Sequence, residues 1–152
     1  MKGKQGFTLL ELLIVLGILG IILGIAVLSG RQILNGQEER AALHSFRQAV
    51  TRAATGANSR NTEMELSVVD ENIVIRDGSS GQTIQSYPLP NSVRLMSNDV
   101  STLGVDFLVF GPDGKVTEQY STTESLKFKL QTSDNSYDIE VSLIGEVRID
   151  SP

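Results

Sequence analysis

The sequence predicts an α+β protein in which a long N-terminal α-helix packs against an antiparallel β-sheet head. Three observations predict it. An apolar run extends from Phe7 to Gly30 with a single charge, Glu11. From Arg31 to Arg60 there is no proline, and alanine, leucine, glutamine, glutamate and arginine dominate, all good helix formers. Beyond Asn61 the apolar period changes from helical to alternating.

The first element is the apolar run. Its length fits a membrane-spanning helix, which needs about 20 residues. It follows a short basic leader, Met1-Lys2-Gly3-Lys4-Gln5-Gly6. A secretory signal peptide would have a shorter core and a small-residue cleavage site beyond it. An ordinary signal anchor accounts for the length and, through the positive-inside rule, for Lys2 and Lys4, but not for Glu11. A carboxylate at mid-membrane costs roughly 2.5–3.5 kcal/mol on insertion scales, so even near the boundary it asks for a reason. Snorkelling to the headgroups or preference for a helix N-terminus is the modest explanation.

A third reading accounts for every feature. The segment Gly6-Phe7-Thr8-Leu9-Leu10-Glu11-Leu12-Leu13-Ile14-Val15 closely resembles the class III signal of type IV pilins and pseudopilins. Gly20 also matches, whereas Leu28 departs from the helix-kinking proline of many major pilins. The resemblance implies cleavage by a prepilin peptidase between Gly6 and Phe7 and N-methylation of Phe7. Cutting there removes Lys2 and Lys4 and frees an amine on Phe7. Phe7 and Glu11 stand one helical turn apart, so amine and carboxylate share a face. Glu11 can neutralise that amine, or the Phe7 amine of a neighbouring subunit. Leaving one partner of a buried pair unmatched is costly, so the pair acts as a register device for filament assembly.

The second element is amphipathic. Leu43, Phe46, Val50, Ala53, Ala54 and Ala57 recur at three- and four-residue spacing, while Arg40, His44, Arg47 and Gln48 lie opposite. A helix from Phe7 to about Arg60 would be roughly 80 Å long, with Gly36 and Gly56 as weak points.

The strands follow. Met64, Leu66 and Val68 alternate with polar residues; Asp70-Glu71-Asn72 turns the chain into Ile73-Val74-Ile75. Thr83 to Tyr87 is a strand broken by Pro88 and Pro90, Val93 to Met96 a further one, and Asn98 to Thr102 a polar loop. Val105 to Phe110 runs into the turn Gly111-Pro112-Asp113-Gly114. Leu126, Phe128 and Leu130 alternate cleanly; Ile139, Val141 and Leu143, then Val147 and Ile149, share one phase about a bend at Gly145. These strands make one antiparallel sheet, closed by the helical stripe. The expected organisation is a leader over 1–6, a transmembrane and assembly half-helix over 7–30, an amphipathic half-helix over 31–60 and a head over 61–152. The strand Phe107-Leu108-Val109-Phe110 with its Pro-Asp-Gly turn, and the closing strand with Gly145-Glu146-Val147-Arg148, resemble the GspH/FimT group of minor pilins and pseudopilins.

Charge narrows the function. Residues 31–60 carry a net +3 and residues 61–152 a net −9. Such a head repels phosphate backbones, and Glu146, Glu140 and Asp150 near Gly145 argue against DNA capture. There is no cysteine, and His44 is the one histidine, so no His dyad or His-rich metal cluster is available. Asp70-Glu71 with Asp77, or Asp134 with Asp138, lack EF-hand spacing and read as loop caps. No catalytic residue, cofactor or metal is assigned, and the expectation is a non-enzyme. The expected protein is a structural, minor subunit of a type IV pilus or type II secretion pseudopilus. The alternative is a membrane-tethered module whose head captures DNA or another ligand. Implied partners are other pilin subunits, prepilin peptidase, the inner-membrane assembly platform and, before assembly, membrane lipid. The implied location is the cytoplasmic membrane, single-pass, with a periplasmic head.

Overall fold

The computed structural model describes residues 8–97, 100–104, 106–117, 125–132 and 135–150. Helix α1 spans Leu9–Arg60, and nine strands follow: β1 (Met64–Val69), β2 (Asn72–Asp77), β3 (Thr83–Pro88), β4 (Arg94–Ser97), β5 (Val100–Ser101), β6 (Asp106–Phe110), β7 (Ser125–Gln131), β8 (Ser136–Ser142) and β9 (Val147–Asp150). The chain divides into two compact units, Met1–Gln37 and Glu38–Pro152. The α+β class and the antiparallel pairing are those read from the sequence.

Both ends of α1 are closed by local chemistry. At the start, the Glu11 N–H donates to Thr8 Oγ1 (3.2 Å), the N-cap bond of a Thr-x-x-Glu pattern. At the end, Asn61 takes a left-handed conformation (φ 52°). The Thr62 N–H then reaches Ala57 O (3.2 Å) and the Asn61 N–H reaches Asn58 O (3.4 Å), a Schellman stop. Gly36 and Gly56 lie inside the helix without ending it.

In the head, the expected single sheet is two. One has the order β3-β2-β1-β6 and the other β5-β4-β7-β8-β9. Hydrophobic alternation marks strands but not their partners, which is why the division escapes it. The β1–β2 hairpin turns through Asp70 (φ 45°) and Glu71 (φ 60°), with Asn72 Nδ2 donating to Asp70 O (2.7 Å). Val100–Ser101, expected within a polar loop, pairs with β4 as a two-residue strand. Leu143, expected in phase with Val141, lies in the β8–β9 turn and is 37% exposed. The chain had already left the strand at Ser142, whose carbonyl accepts from Gly145 N–H (2.9 Å).

The core lies where both sheets meet the second half of α1. Phe46, Val50, Ala53 and Ala57 of the expected stripe are fully buried; Leu43 and Ala54 are partly so, and Ala42 and Ala49 widen the stripe. Phe46 packs on Phe107 of β6 (6.2 Å between centroids) and Phe128 of β7 (5.7 Å), which meet edge-on at 5.6 Å. Helix and both sheets thus share one aromatic cluster, worth about 0.5–1.5 kcal/mol per pair beyond area burial.

Candidate assembly segment and head junction

The segment Leu9–Ala26 has a mean hydropathy of 2.8 and none of it is buried within the chain. It is long and apolar enough to cross a membrane. Leu9, Leu10, Leu13, Ile21, Leu23 and Ile25 are each more than 60% exposed among the described residues. Gly20 has nothing within 4 Å of a built Cβ and is not held there by intrachain packing.

Glu11 is the charged residue of that span. It sits in the first turn of α1, exposed, at the third helical position after the Thr8 cap. Two things follow. The carboxylate stands in the first turn, the positive end of the helix dipole, where an acidic side chain is favoured. Its side chain also remains available to a partner. Gly6 and Phe7, expected as cleavage and methylation sites and Phe7 as the source of the amine, lie outside the described residues. Thr8 was not singled out by the sequence reading, although Thr-x-x-Glu before an apolar run is a capping signature.

A second carboxylate, Glu39, is the residue that sequence reasoning missed. It is 7% exposed and receives four hydrogen bonds from the β7–β8 turn and strand β8. Thr132 Oγ1 donates to Oε1 (2.8 Å), Asn135 Nδ2 to both oxygens (3.2 Å each), and Tyr137 OH to Oε2 (2.9 Å). The Thr132 bond leads in holding its pKa below the usual carboxylate range, against burial and with help from Tyr137 and Asn135. The Tyr137 hydroxyl is pushed the other way, chiefly because its bond to Glu39 would be lost on ionisation. The neighbouring Glu38 accepts from the Ser92 hydroxyl. Adjacent helix residues thus pin two separate loops of the head to α1.

Further along α1, two glycine turns clasp the helix. Gly145 (φ 79°) is buried, and a Cβ there would lie 2.9 Å from Ala54 Cβ and 3.3 Å from Phe110 Cε1. Gly114 (φ 74°) approaches Ala54 O, where a Cβ would meet the carbonyl at 3.1 Å. Val116 ties the two turns together: it bridges to Phe110, and its N–H donates to Leu143 O (2.8 Å). The motifs that suggested a GspH/FimT-like head are therefore neighbours in space, against one alanine of the helix.

The candidate cation clusters look different. Asp77 Oδ1 accepts from the N–H groups of Ser79 (2.9 Å) and Ser80 (3.0 Å), which is loop capping. Asp134 lies outside the described residues. Among the described residues no three His, Asp or Glu side chains gather as a metal would need. His44 is exposed and bonded to Gln48 (2.9 Å).

Residues 1–27 match the prokaryotic N-terminal methylation motif. Among solved structures, the minor pseudopilin EpsH from the type 2 secretion system of Vibrio cholerae is similar in fold, with a TM-score of 0.50 and 14% identity. The match covers 72% of this chain and 93% of that one. A search of curated proteins finds no match. The chain thus joins an N-terminal methylation motif and an apolar N-terminal helix to a fold similar to that of a minor pseudopilin, a combination that supports the type IV pilin and pseudopilin resemblance.

Proposed function

We propose that the protein is a minor subunit of a type II secretion pseudopilus or type IV pilus. It is cut by prepilin peptidase after Gly6, methylated on Phe7 and assembled through α1. Residues 1–6 serve as leader, residues 7–30 as membrane and assembly segment, residues 31–60 as the amphipathic half of the helix and residues 61–152 as the head. The observation that carries this reading is the methylation motif over residues 1–27 overlapping a span, Leu9–Ala26, whose one charge is Glu11. A span so apolar and exposed among the described residues suits first lipid and then the helices of neighbouring subunits. There Glu11 neutralises a Phe7 amine and penalises axial slippage. The assembly platform of the inner membrane would receive the anchored subunit, with its head on the periplasmic side. The net charge of −9 over residues 61–152 weighs against the alternative of a DNA-capturing head.

N-terminal sequencing and mass spectrometry of the mature chain test the processing step. A mature N-terminus at methylated Phe7, abolished when Gly6 becomes a bulky residue, is the expected result. A mature chain starting elsewhere would overturn it.

A further inference from the structure

The half of α1 that carries the head presents an exposed face with positive charge and no negative charge. Between Arg40 and Arg60 the sequence holds no Asp or Glu, while Arg40, His44, Arg47, Arg52 and Arg60 are all exposed. Arg40, His44 and Arg47 follow one another at helical spacing. No Asp or Glu stands three or four residues from Arg47 or Arg52, so neither has the helical ion-pair partner that would support the helix. The nearest carboxylates on the helix are committed elsewhere, Glu38 to Ser92 and Glu39 to the β7–β8 turn. Among the described residues, none of these arginines forms an ion pair within 4 Å. His44, Arg47 and Arg52 also line an open groove whose far wall is Tyr87 of β3, an edge strand.

The opposite imbalance exists on the head. Glu65 and Arg76 are cross-strand partners on β1 and β2, and Arg76 also faces Asp106 of β6 at 3.9 Å. Glu63 and Asp77 adjoin them, so among the described residues Glu65 feels three other carboxylates, Asp106, Glu63 and Asp77, against the one cation Arg76. Burial, then the charges of Asp106 and Glu63, push the Glu65 carboxyl above its ordinary range. One chain thus carries an unneutralised cationic helix face and an over-charged acidic sheet corner.

We infer that the cationic face of α1, from Arg40 to Arg52, docks the acidic corner Glu63–Glu65–Asp77–Asp106 of a second copy of this chain. The contact is heterologous: one patch of one copy meets a different patch of the other. This rests on the filament reading above and names the surface that would pair the heads. Anionic lipid is the weaker occupant, because the exposed face offers Gln48, Thr51, Thr55 and Asn58 rather than the Leu, Phe or Trp of an interfacial helix. Nucleic acid is disfavoured by the surrounding negative field.

The chain contains no cysteine, which makes the test direct. Full-length chains bearing Thr51→Cys, beside the arginines, and differently tagged full-length chains bearing Ser80→Cys, beside Asp77, are co-expressed and oxidised in native membranes. Neither substitution removes a charge. Mixed 51–80 dimers exceeding both like-with-like dimers are expected. Arg52→Glu in the first chain should lower their yield roughly two- to tenfold, the range for losing one or two exposed ion pairs. Asp77→Arg in the second chain should restore it. Absence of mixed dimers, no effect of Arg52→Glu, or cross-links only to an unlike protein would overturn the second-copy assignment. An electrophoretic shift of duplex DNA lost in Arg52→Glu would overturn it in favour of nucleic acid. Mixed dimers in membranes without incorporation into filaments would uphold this contact and defeat the filament reading. Normal filaments without mixed dimers would do the reverse.

Discussion

Replacing Glu39 by alanine removes a nearly buried carboxylate and the four hydrogen bonds that end on it. The donors do not all lose equally. Thr132 Oγ1 keeps a bond to Asn135 O (3.0 Å), and Asn135 is exposed enough to turn to water. Tyr137 is half-buried and loses its acceptor outright. Hydrogen bonds to a charged group contribute about 1.5–3 kcal/mol each, but not additively where they share one acceptor. The expected loss is therefore about 2–4 kcal/mol, or roughly 8–15 °C in Tm for a unit of this size. Glu39→Gln keeps the shape but meets donors with an amide, and should cost about half as much. The assay is urea unfolding of a fragment starting near Gly30, which should be a soluble monomer once the exposed apolar segment is removed. Because the folded-state pKa of Glu39 is shifted below its usual range, the carboxylate's contribution is present above the unfolded value of 4.5. It is lost as pH falls through the lower folded value. The gap between wild type and Glu39→Gln should therefore be full at pH 7 and close in acid. A Glu39→Ala fragment within about 0.5 kcal/mol of wild type at pH 7 would refute the assignment of Glu39 as the pin of the β7–β8 turn.

Gly145→Ala should destabilise the same fragment by roughly 2–4 kcal/mol, since it combines a left-handed φ with a 2.9 Å approach to Ala54 Cβ. Ala54→Gly should recover part of that loss, and calorimetry of the single and double variants measures it. Glu65→Gln should stabilise by a few tenths of a kcal/mol, roughly, at pH 7. Its folded-state pKa is shifted upward, so the charged form is the penalised one and protonation relieves it. That gain should shrink as pH falls through the raised value, which unfolding curves at several pH values can follow. Gly6 changed to a bulky residue should leave uncut precursor in the membrane, seen as a slower band and an unprocessed N-terminal peptide.

Much of this molecule was legible because local pattern and tertiary fold agree. The stripe from Phe46 to Ala57 faces the core, the strands around Leu66, Leu130 and Ile139 fall where alternation placed them, and those around Ile75 and Leu108 where continuous apolar runs did. The glycine motifs at 114 and 145 could be recognised as turns, but not as two clasps on Ala54, because sequence spacing carries no distance across a fold. Val100–Ser101 is too short to show a period, and the Leu143 expectation carried a strand phase one residue into a turn. Glu39 was invisible for a different reason. In the helix it reads as the twin of Glu38, and its donors Thr132, Asn135 and Tyr137 come from a turn more than 90 residues away. At the N-terminus the signal is local, since Thr8 and Glu11 are three residues apart in a capping signature, but Thr8 was not singled out.

That capping bond also sharpens the test of the central claim, that Glu11 works through its charge in assembly. Glutamine serves at the third helical position of a capping box, so Glu11→Gln leaves the helix start supported and removes only the charge. Membrane insertion should persist or improve, and cleavage after Gly6 should continue. The decisive quantity is the amount of Glu11→Gln protein in sheared filaments relative to membranes, with processing monitored in the same samples. The account predicts a ratio well below wild type, because a neighbouring Phe7 amine loses its partner and axial slippage its penalty. A wild-type ratio with normal processing would contradict it and reduce Glu11 to a helix-capping residue at the membrane boundary.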